Sequence, residues 1–183
     1  MSDDPRAALM AQFDAYQSRW PAEHDTVAAF GALLSHPDAF VRARLDAHFT
    51  ASAWLVSADG ARTALMHHAK LGRWLQPGGH ADGDEALPMV ALKEAQEETG
   101  LTDLAVEAAA IFDLDRHWIP ERRDVPGHWH FDVRYVVRAL GSEVLVGNEE
   151  SLALAWRTIE EVAADPDASL SRMAGKWLDS TAT

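Results

Sequence analysis

The amino-acid sequence predicts a layered domain of the α/β or α+β class, with a helical extension at its N-terminus. Two observations predict this fold class. Apolar residues recur at helical spacing near the N-terminus, and strand-like and helical segments alternate in the rest of the chain. The 183 residues include 48% hydrophobic ones and show no repeat or linker. We therefore expect a single domain, with a helical extension at 1–48 and a core at 49–183.

The N-terminal half is predicted to pass from helices into an antiparallel pair of strands. Asp59 and Gly60 mark a tight turn between two strand-like segments, which is typical of a hairpin. The elements expected here are helices at 5–18 and 26–35, a third helix capped by Asp38, and strands at 50–58 and 61–67.

The middle of the chain contains a Gly-rich loop followed by a helix. Asp84 can cap this helix, and Gly100 can end it, because glycine tolerates the left-handed conformation found at helix C-termini. Pro88 fits only in the first turn, where its missing N–H costs least. The remaining predicted elements are strands at 104–114, 129–140 and 152–156, and helices at 159–164 and 169–178.

The composition disfavours several kinds of function. There are 16 Lys and Arg residues against 29 Asp and Glu residues, and the net charge of -13 disfavours nucleic-acid polymers and anionic membranes as partners. The chain has no cysteine, which excludes thiolate metal sites and cysteine nucleophiles. Long apolar segments are missing, so we expect a cytoplasmic location. The oligomeric state cannot be read from the sequence.

Three glutamates share one face of the predicted central helix. Glu94, Glu97 and Glu98 stand at i, i+3 and i+4, which brings their charges within about 6 Å of one another. Such a set repels itself unless a positive partner is present, and oxygen ligands suit Mg²⁺ or Mn²⁺ better than zinc or copper. The pattern predicts a divalent metal site, although in isolation it is also typical of a solvated acidic face.

The residues around these glutamates form a longer motif. From Gly79 the chain runs Gly, five residues, Glu85, seven residues, Lys93-Glu94-Ala95, one residue, Glu97-Glu98, one residue, Gly100-Leu101. This spacing resembles the Nudix box. The resemblance extends from about residue 51 to about residue 159 and implies the Nudix α/β/α sandwich with a mixed sheet.

The resemblance also implies roles for the matched residues. Glu97, Glu98 and the carbonyl of Gly79 are expected to bind the metal, and Glu94 is expected to bind it or to activate water. Family members often add a glutamate from a later loop, and two candidates precede the strand at 152–156. Of these, Glu150 is preferred over Glu149 as a further ligand or general base; the alternative is an exposed loop acid.

Two matched positions are expected to support the loop rather than the metal. Glu85 and Lys93 lie a turn or more from the central carboxylates, and the resemblance implies that they hold the loop against the helix. Lys93 stands where the family usually has arginine. Lysine lacks the bidentate fork of arginine, so this contact is weakened. Ala95 replaces a larger aliphatic residue and is expected to affect packing only.

A polar and apolar alternation marks the segment HWHFDVRY. His128, His130, Asp132 and Arg134 share one face of the predicted strand, and the aromatic and aliphatic residues share the other. The polar face either is half-solvated or lines the cleft, in which case His128, His130 and Arg134 contact substrate. The two histidines also form an H-x-H pair that could bind zinc, but the sequence shows no third nitrogen or sulfur ligand nearby.

Three further residues flank the Gly-rich loop and are candidates for substrate binding. Arg73 can hold phosphate, Trp74 can stack on a base, and His80 directly follows the glycine pair. Tryptophan is more often simply packed, however, so Trp74 is also a candidate core or loop anchor.

These features together predict a metal-dependent hydrolase of a phosphoanhydride bond in a nucleoside diphosphate linked to another group. The substrate is expected to be a small nucleotide-type phosphate, and ADP-ribose-like compounds are favoured among those the resemblance covers. One alternative is a non-catalytic, nucleotide-sensing module of the same fold. Another is allylic diphosphate isomerisation, which in relatives relies on a cysteine that this chain lacks.

Overall fold

The computed structural model of the protein describes residues 4–122, 125–149 and 151–181. The helices are α1 (Pro5–Arg19), α2 (His24–Leu34), α3 (Leu87–Thr99), α4 (Ile159–Ala163) and α5 (Ala168–Thr181), with a 3-10 helix at Pro21–Glu23. The strands are β1 (Ala47–Val56), β2 (Arg62–His68), β3 (Trp74–Leu75), β4 (Gly78–His80), β5 (Leu104–Val106), β6 (Asp113–Ile119), β7 (His128–Ala139) and β8 (Ser151–Thr158). No helix in these ranges is long and apolar enough to cross a bilayer.

The described strands form one mixed sheet of eight strands. At its centre β1 and β7 run parallel, with His48 opposite His130 and Ser52 opposite Arg134. The other edge of β1 pairs with β4 and, at its end, with β2, while the other edge of β7 pairs with β5 and β6. Strands β3 and β8 complete the sheet beside β2. The parallel central pair thus joins segments that lie far apart in the sequence.

The two faces of the sheet pack against different helices, which confirms the predicted layered fold class. Side chains alternate along a strand, so Phe49 and Ala51 face one side and Trp54 and Val56 the other. The first pair belongs to a hydrophobic core shared with α1, α2 and α3. The second pair belongs to a core shared with α4 and α5. The sheet is therefore a central layer with helices on both faces.

The N-terminal helices contribute aromatic side chains to the core on the α3 side. The rings of Phe13 and Phe30 are 5.9 Å apart, and Phe30 lies 4.9 Å from Phe131 of β7. At the edge of the sheet the Lys176 ammonium of α5 donates to the Tyr16 hydroxyl at 2.6 Å and to Asp113 at 2.7 Å. The N-terminal extension is therefore packed into the same hydrophobic core as helix α3.

Three predicted local elements differ from the structure. The segment 35–46 forms turns rather than a third helix, and the Asp38 carboxylate instead binds Arg44 at 2.8 Å. Helix α3 begins after Ala86, because Asp84 accepts from the Ala86 N–H and Pro88 occupies the first turn. The predicted strand at 104–114 divides into β5 and β6, which share one edge of the long strand β7.

Candidate functional site

Helix α3 directs Glu94 and Glu98 toward the Gly-rich strand β4. Glu98 is 5% exposed, and its carboxylate accepts a hydrogen bond from the Gly78 N–H at 3.0 Å. A Cβ atom at Gly79 would come within 2.6 Å of the Glu94 carboxyl carbon, and one at Gly78 would collide with the Ser52 hydroxyl. Both glycines are therefore required for the strand to pass this close to β1 and α3.

Four carboxylate side chains border one cavity of about 350 Å³. Glu94, Glu97 and Glu98 line it from α3, and Glu149 lines it from the loop before β8 together with Asn148. The Asn148 amide donates to the Glu97 carbonyl at 3.3 Å, which fastens this loop to the helix. The structure thus brings together the three helix glutamates and Glu149.

The preferred later glutamate, Glu150, lies outside the described residues. Its expected role as a metal ligand or general base stays a prediction. Its neighbour Glu149, the other candidate, lines the cavity.

The donor set of this cavity fits a hard divalent cation. Carboxylate oxygens are the ligands that Mg²⁺ and Mn²⁺ prefer, and an open cavity leaves room for substrate oxygens and water. The Lys93 ammonium lies 3.7 Å from the Glu97 carboxylate, but its side chain is 66% exposed. Such an exposed pair offsets little of the charge on the carboxylates.

Glu85, which was expected to hold the loop, is bound by a residue outside the motif. The Arg6 Nε atom donates to the Glu85 carboxylate at 2.7 Å. The same guanidinium donates to the carbonyls of Leu34, His36 and Pro37 at 3.1, 2.9 and 2.8 Å. Lys93 instead faces Glu97, as described above. The extension therefore supplies the cation that contacts Glu85.

Arg134 is enclosed by acidic side chains on the α5 side of the sheet. Its guanidinium donates to Asp132 at 2.8 Å, to Asp113 at 3.0 Å and to the Ser169 hydroxyl at 2.7 Å, and it lies 3.2 Å from Asp115. The residue is only 3% exposed. A substrate phosphate could reach it only if this network opened. At Arg134 the predicted polar face is buried, so the expected substrate contacts of Arg134, His128 and His130 stay predictions.

Five histidines gather at one end of the same sheet face. His48 comes from β1, His80 from β4, His117 from β6, and His128 and His130 from β7. The ring of His130 lies 4.9 Å from His48, 5.0 Å from His80 and from His128, and 5.4 Å from His117. Burial, aided by the Arg42 charge and by His48, lowers the pKa of His80 to about 4, and burial, aided by the neighbouring histidines, lowers the pKa of His130 to about 2. These two rings are neutral at physiological pH.

The two candidates before the loop lie elsewhere. Trp74 packs against the core formed with α4 and α5, and the Arg157 guanidinium sits 4.8 Å from its ring. Arg73 is exposed, with its guanidinium 3.8 Å from the Asp167 carboxylate. Neither Arg73 nor Trp74 is among the described residues that line the glutamate cavity, so their substrate contacts stay predictions.

The sequence-based prediction missed three residues near these sites. Arg6 and His48 make the contacts described above, and Arg42 forms an ion pair with Asp82 in the loop that follows His80. The alternation His48-Phe49-Thr50-Ala51-Ser52 was a usable signal for a polar strand face. The pairing of this strand, β1, with β7 could not be deduced from the sequence, because parallel pairing of distant segments leaves no local pattern.

The chain belongs to the NUDIX domain family, whose model matches residues 46–178. The predicted enzyme class, a pyrophosphohydrolase acting on acid anhydrides, is confirmed at the level of this family. A search of curated proteins found no match.

Several solved structures share the fold. A MutT protein from Methanosarcina mazei Go1 is 15% identical, with a TM-score of 0.60, and the match covers 76% of this chain and 99% of that one. A C. elegans Ap4A hydrolase is 16% identical, with a TM-score of 0.57 and coverage of 73% and 97%. RenU, a Nudix hydrolase from M. smegmatis, is 24% identical, with a TM-score of 0.53 and coverage of 74% and 86%. At these identities the likeness establishes the fold alone.

Proposed function

We propose that this protein uses Mg²⁺ or Mn²⁺ to hydrolyse a phosphoanhydride bond in a nucleoside diphosphate linked to another group. One observation supports the proposal most: Glu94, Glu97, Glu98 and Glu149 border the same open cavity. Several carboxylates with free coordination positions beside them are what a metal needs if it is also to contact substrate phosphates.

The protein's own contribution is to hold these carboxylates in place. The Gly78 N–H fixes the Glu98 carboxylate, and the missing side chain of Gly79 lets Glu94 approach the loop. Ligands that are already held lose little conformational freedom when a cation or substrate binds. A bound divalent cation would neutralise non-bridging phosphate oxygens and lower the pKa of a coordinated water.

The attacking water also needs a proton acceptor. Glu94 lies beside the Gly79 backbone, and Glu149 approaches the same cavity from a loop, so each could accept a proton from water in the cavity. Glu150 remains the sequence-based candidate for this role. Glu97, with a side chain that is 56% exposed, is better suited to bind a hydrated cation at the solvent side.

The substrate is proposed to be a small nucleotide-type phosphate, with ADP-ribose-like compounds favoured. The names of similar structures widen the set to be tested, since they include an Ap4A hydrolase and a dihydroneopterin triphosphate pyrophosphohydrolase. On the chain itself, His80 directly follows Gly79, whose backbone lies beside Glu94, while the His80 ring lies in the histidine cluster.

The experiment is a panel assay that measures phosphate-ester products. ADP-ribose, Ap4A, dihydroneopterin triphosphate and nucleoside triphosphates are each incubated with the parent, Glu98→Gln and Glu160→Gln. Glu160 is an exposed glutamate of α4 and serves as the matched control. We expect Mg²⁺- or Mn²⁺-dependent turnover of at least one compound, retained in E160Q and lost in E98Q. Binding of a compound without turnover would favour the nucleotide-sensing alternative.

A further inference from the structure

We propose that His48, His128 and His130 form a binding site for a divalent transition metal of the zinc type. The site lies on the sheet face opposite α3, so it is distinct from the glutamate cavity in both position and donor chemistry. Imidazole nitrogens suit zinc, nickel and copper, whereas carboxylate oxygens suit magnesium and manganese.

The nitrogen atoms are spaced for a shared metal. One ligand nitrogen from each of the three rings lies within 4.8 Å of the other two. The Nε2 atoms of His128 and His130 are 3.1 Å apart. Two nitrogens on a tetrahedral zinc with Zn–N bonds of about 2.0–2.1 Å are separated by roughly 3.3 Å. This pair already has the spacing of two ligands, and only a small shift of His48 is needed to complete the set.

The hydrogen bonds at the Nδ1 atoms of His48 and His128 turn their Nε2 atoms toward the cluster, where the Nε2 atoms of His128 and His130 share a hydrogen bond that a bound metal would replace. The Nδ1 atom of His48 contacts the Arg44 carbonyl at 3.1 Å, and that of His128 contacts the Pro126 carbonyl at 2.9 Å. A carbonyl oxygen only accepts, so both Nδ1 atoms carry the proton and both Nε2 atoms present a lone pair. Histidines that bind metals are commonly fixed in this way, with the other ring N–H donated to a carbonyl.

One of these lone pairs lacks a partner. His48 is 2% exposed, and its Nε2 atom has no hydrogen-bond partner among the residues that the structure describes. A buried polar atom without a partner is costly, and native proteins rarely tolerate it. Among the described residues, the hydrogen bonds of the histidine cluster do not reach the His48 Nε2 atom, whereas a bound metal ion would accept its lone pair.

The position of the site in the sheet makes it rigid. His48 and His130 are direct partners across the central parallel pair of strands. Three protein ligands leave a fourth position for water or for another side chain, as in zinc sites that bind an exchangeable ligand. His80 lies beside two of the three ligands, with its ring 5.2 Å from the ring of His48 and 5.0 Å from that of His130.

Cobalt spectroscopy tests the proposal directly. Metal-free protein is titrated with Co²⁺ in the presence of excess Mg²⁺, which occupies oxygen ligands. We expect the visible ligand-field absorption of low-coordinate cobalt, saturating at one equivalent and displaced by Zn²⁺. His48→Gln and His128→Gln should each weaken Zn²⁺ binding roughly a hundredfold or more. The exposed His36→Gln and the cavity variant Glu98→Gln should bind Zn²⁺ like the parent.

Two results would overturn the site. One is the absence of a visible cobalt band, and the other is equal Zn²⁺ affinity in the parent, H48Q and H128Q. If the histidine variants do not fold, X-ray absorption of the zinc-loaded parent decides the question. A spectrum with three imidazole ligands supports the site, and a spectrum of oxygen ligands alone refutes it.

Discussion

The Arg6 guanidinium lies 2.7 Å from the Glu85 carboxylate, and this contact joins the N-terminal helix to the Nudix box. Arg6 is itself fixed by three backbone carbonyls at the end of α2 and just beyond it. The contact places the N-terminal extension beside the loop that precedes α3. We infer that the extension stabilises this loop in addition to covering the core.

Removal of this contact should therefore affect stability and catalysis together. Arg6→Ala is expected to lower the free energy of unfolding by about 1.5–3 kcal/mol, the usual range for lost hydrogen bonds to a charged group. Arg6→Lys should recover only part of the loss, because an ammonium cannot serve Glu85 and three carbonyls at once. Urea unfolding and steady-state rates measure both effects, and the exposed Arg122→Ala is the control. Wild-type stability in R6A would refute this role.

Lys93→Arg should be nearly neutral. The Lys93 side chain is exposed and pairs with Glu97, while Arg6 already contacts Glu85. An arginine at this position would keep the pair and could add a second hydrogen bond to Glu97. We expect kcat/KM on the substrate identified by the panel to change by no more than about threefold, less than 1 kcal/mol. A loss of tenfold or more would show that the lysine has a specific role.

Arg134→Ala should destabilise the protein rather than only weaken substrate binding. The substitution leaves the buried Asp113 and Asp132 and the partly buried Asp115 with less compensating charge, and breaking a buried ion pair costs about 3–5 kcal/mol. Guanidinium chloride unfolding measures this cost. If R134A unfolds like the parent but has a higher KM, the arginine reaches substrate and the network must open during catalysis.

The acidic network also predicts how stability depends on pH. Burial alone would raise the pKa of Asp115, but the hydrogen bond from His117 and the charges of Arg134 and Arg172 hold it well below its ordinary value. A carboxyl with a depressed pKa in the folded state stabilises the protein above the unfolded pKa near 3.9, and this stabilisation is lost as the pH falls below it.

Asp115→Asn removes this titration. We expect the variant to be less stable at pH 7 and to lose less stability than the parent between pH 4 and pH 2, by up to about 1.4 kcal/mol per pH unit. Unfolding titrations at several pH values compare the two proteins. Parallel stability curves over that interval would show that Asp115 does not have a depressed pKa.

The sequence predicted the elements whose signals are local. Helix α3 ends at Gly100 in the left-handed conformation, and Pro88 occupies its first turn, as the residue preferences indicated. The third helix was wrong because Asp38 binds the Arg44 side chain within a series of turns. The strand at 104–114 was wrong because two strands share the edge of β7, and tertiary pairing decides such a division.

In the candidate site, too, local contacts could be predicted from the sequence and contacts between distant segments could not. The spacing of the three α3 glutamates could be read directly, since helical periodicity alone places them on one face. Arg6 is far from Glu85 in sequence, and His48 is far from His130, so their contacts depend on how the chain folds back on itself. The burial of Arg134 could not be predicted from the sequence either, because its partners Asp113 and Ser169 come from other elements.

Calorimetric titration of Mg²⁺ into the parent, Glu98→Gln and Glu160→Gln, with turnover measured on the same samples, tests the central claim most directly. Glutamine at position 98 keeps the shape of the side chain and a carbonyl oxygen for the Gly78 N–H, so it removes the charge with little change in structure. We predict that E98Q binds Mg²⁺ at least roughly tenfold more weakly and loses most of its hydrolytic activity, while E160Q matches the parent. Equal Mg²⁺ affinity and equal turnover in E98Q and the parent would contradict the assignment of the metal site to α3.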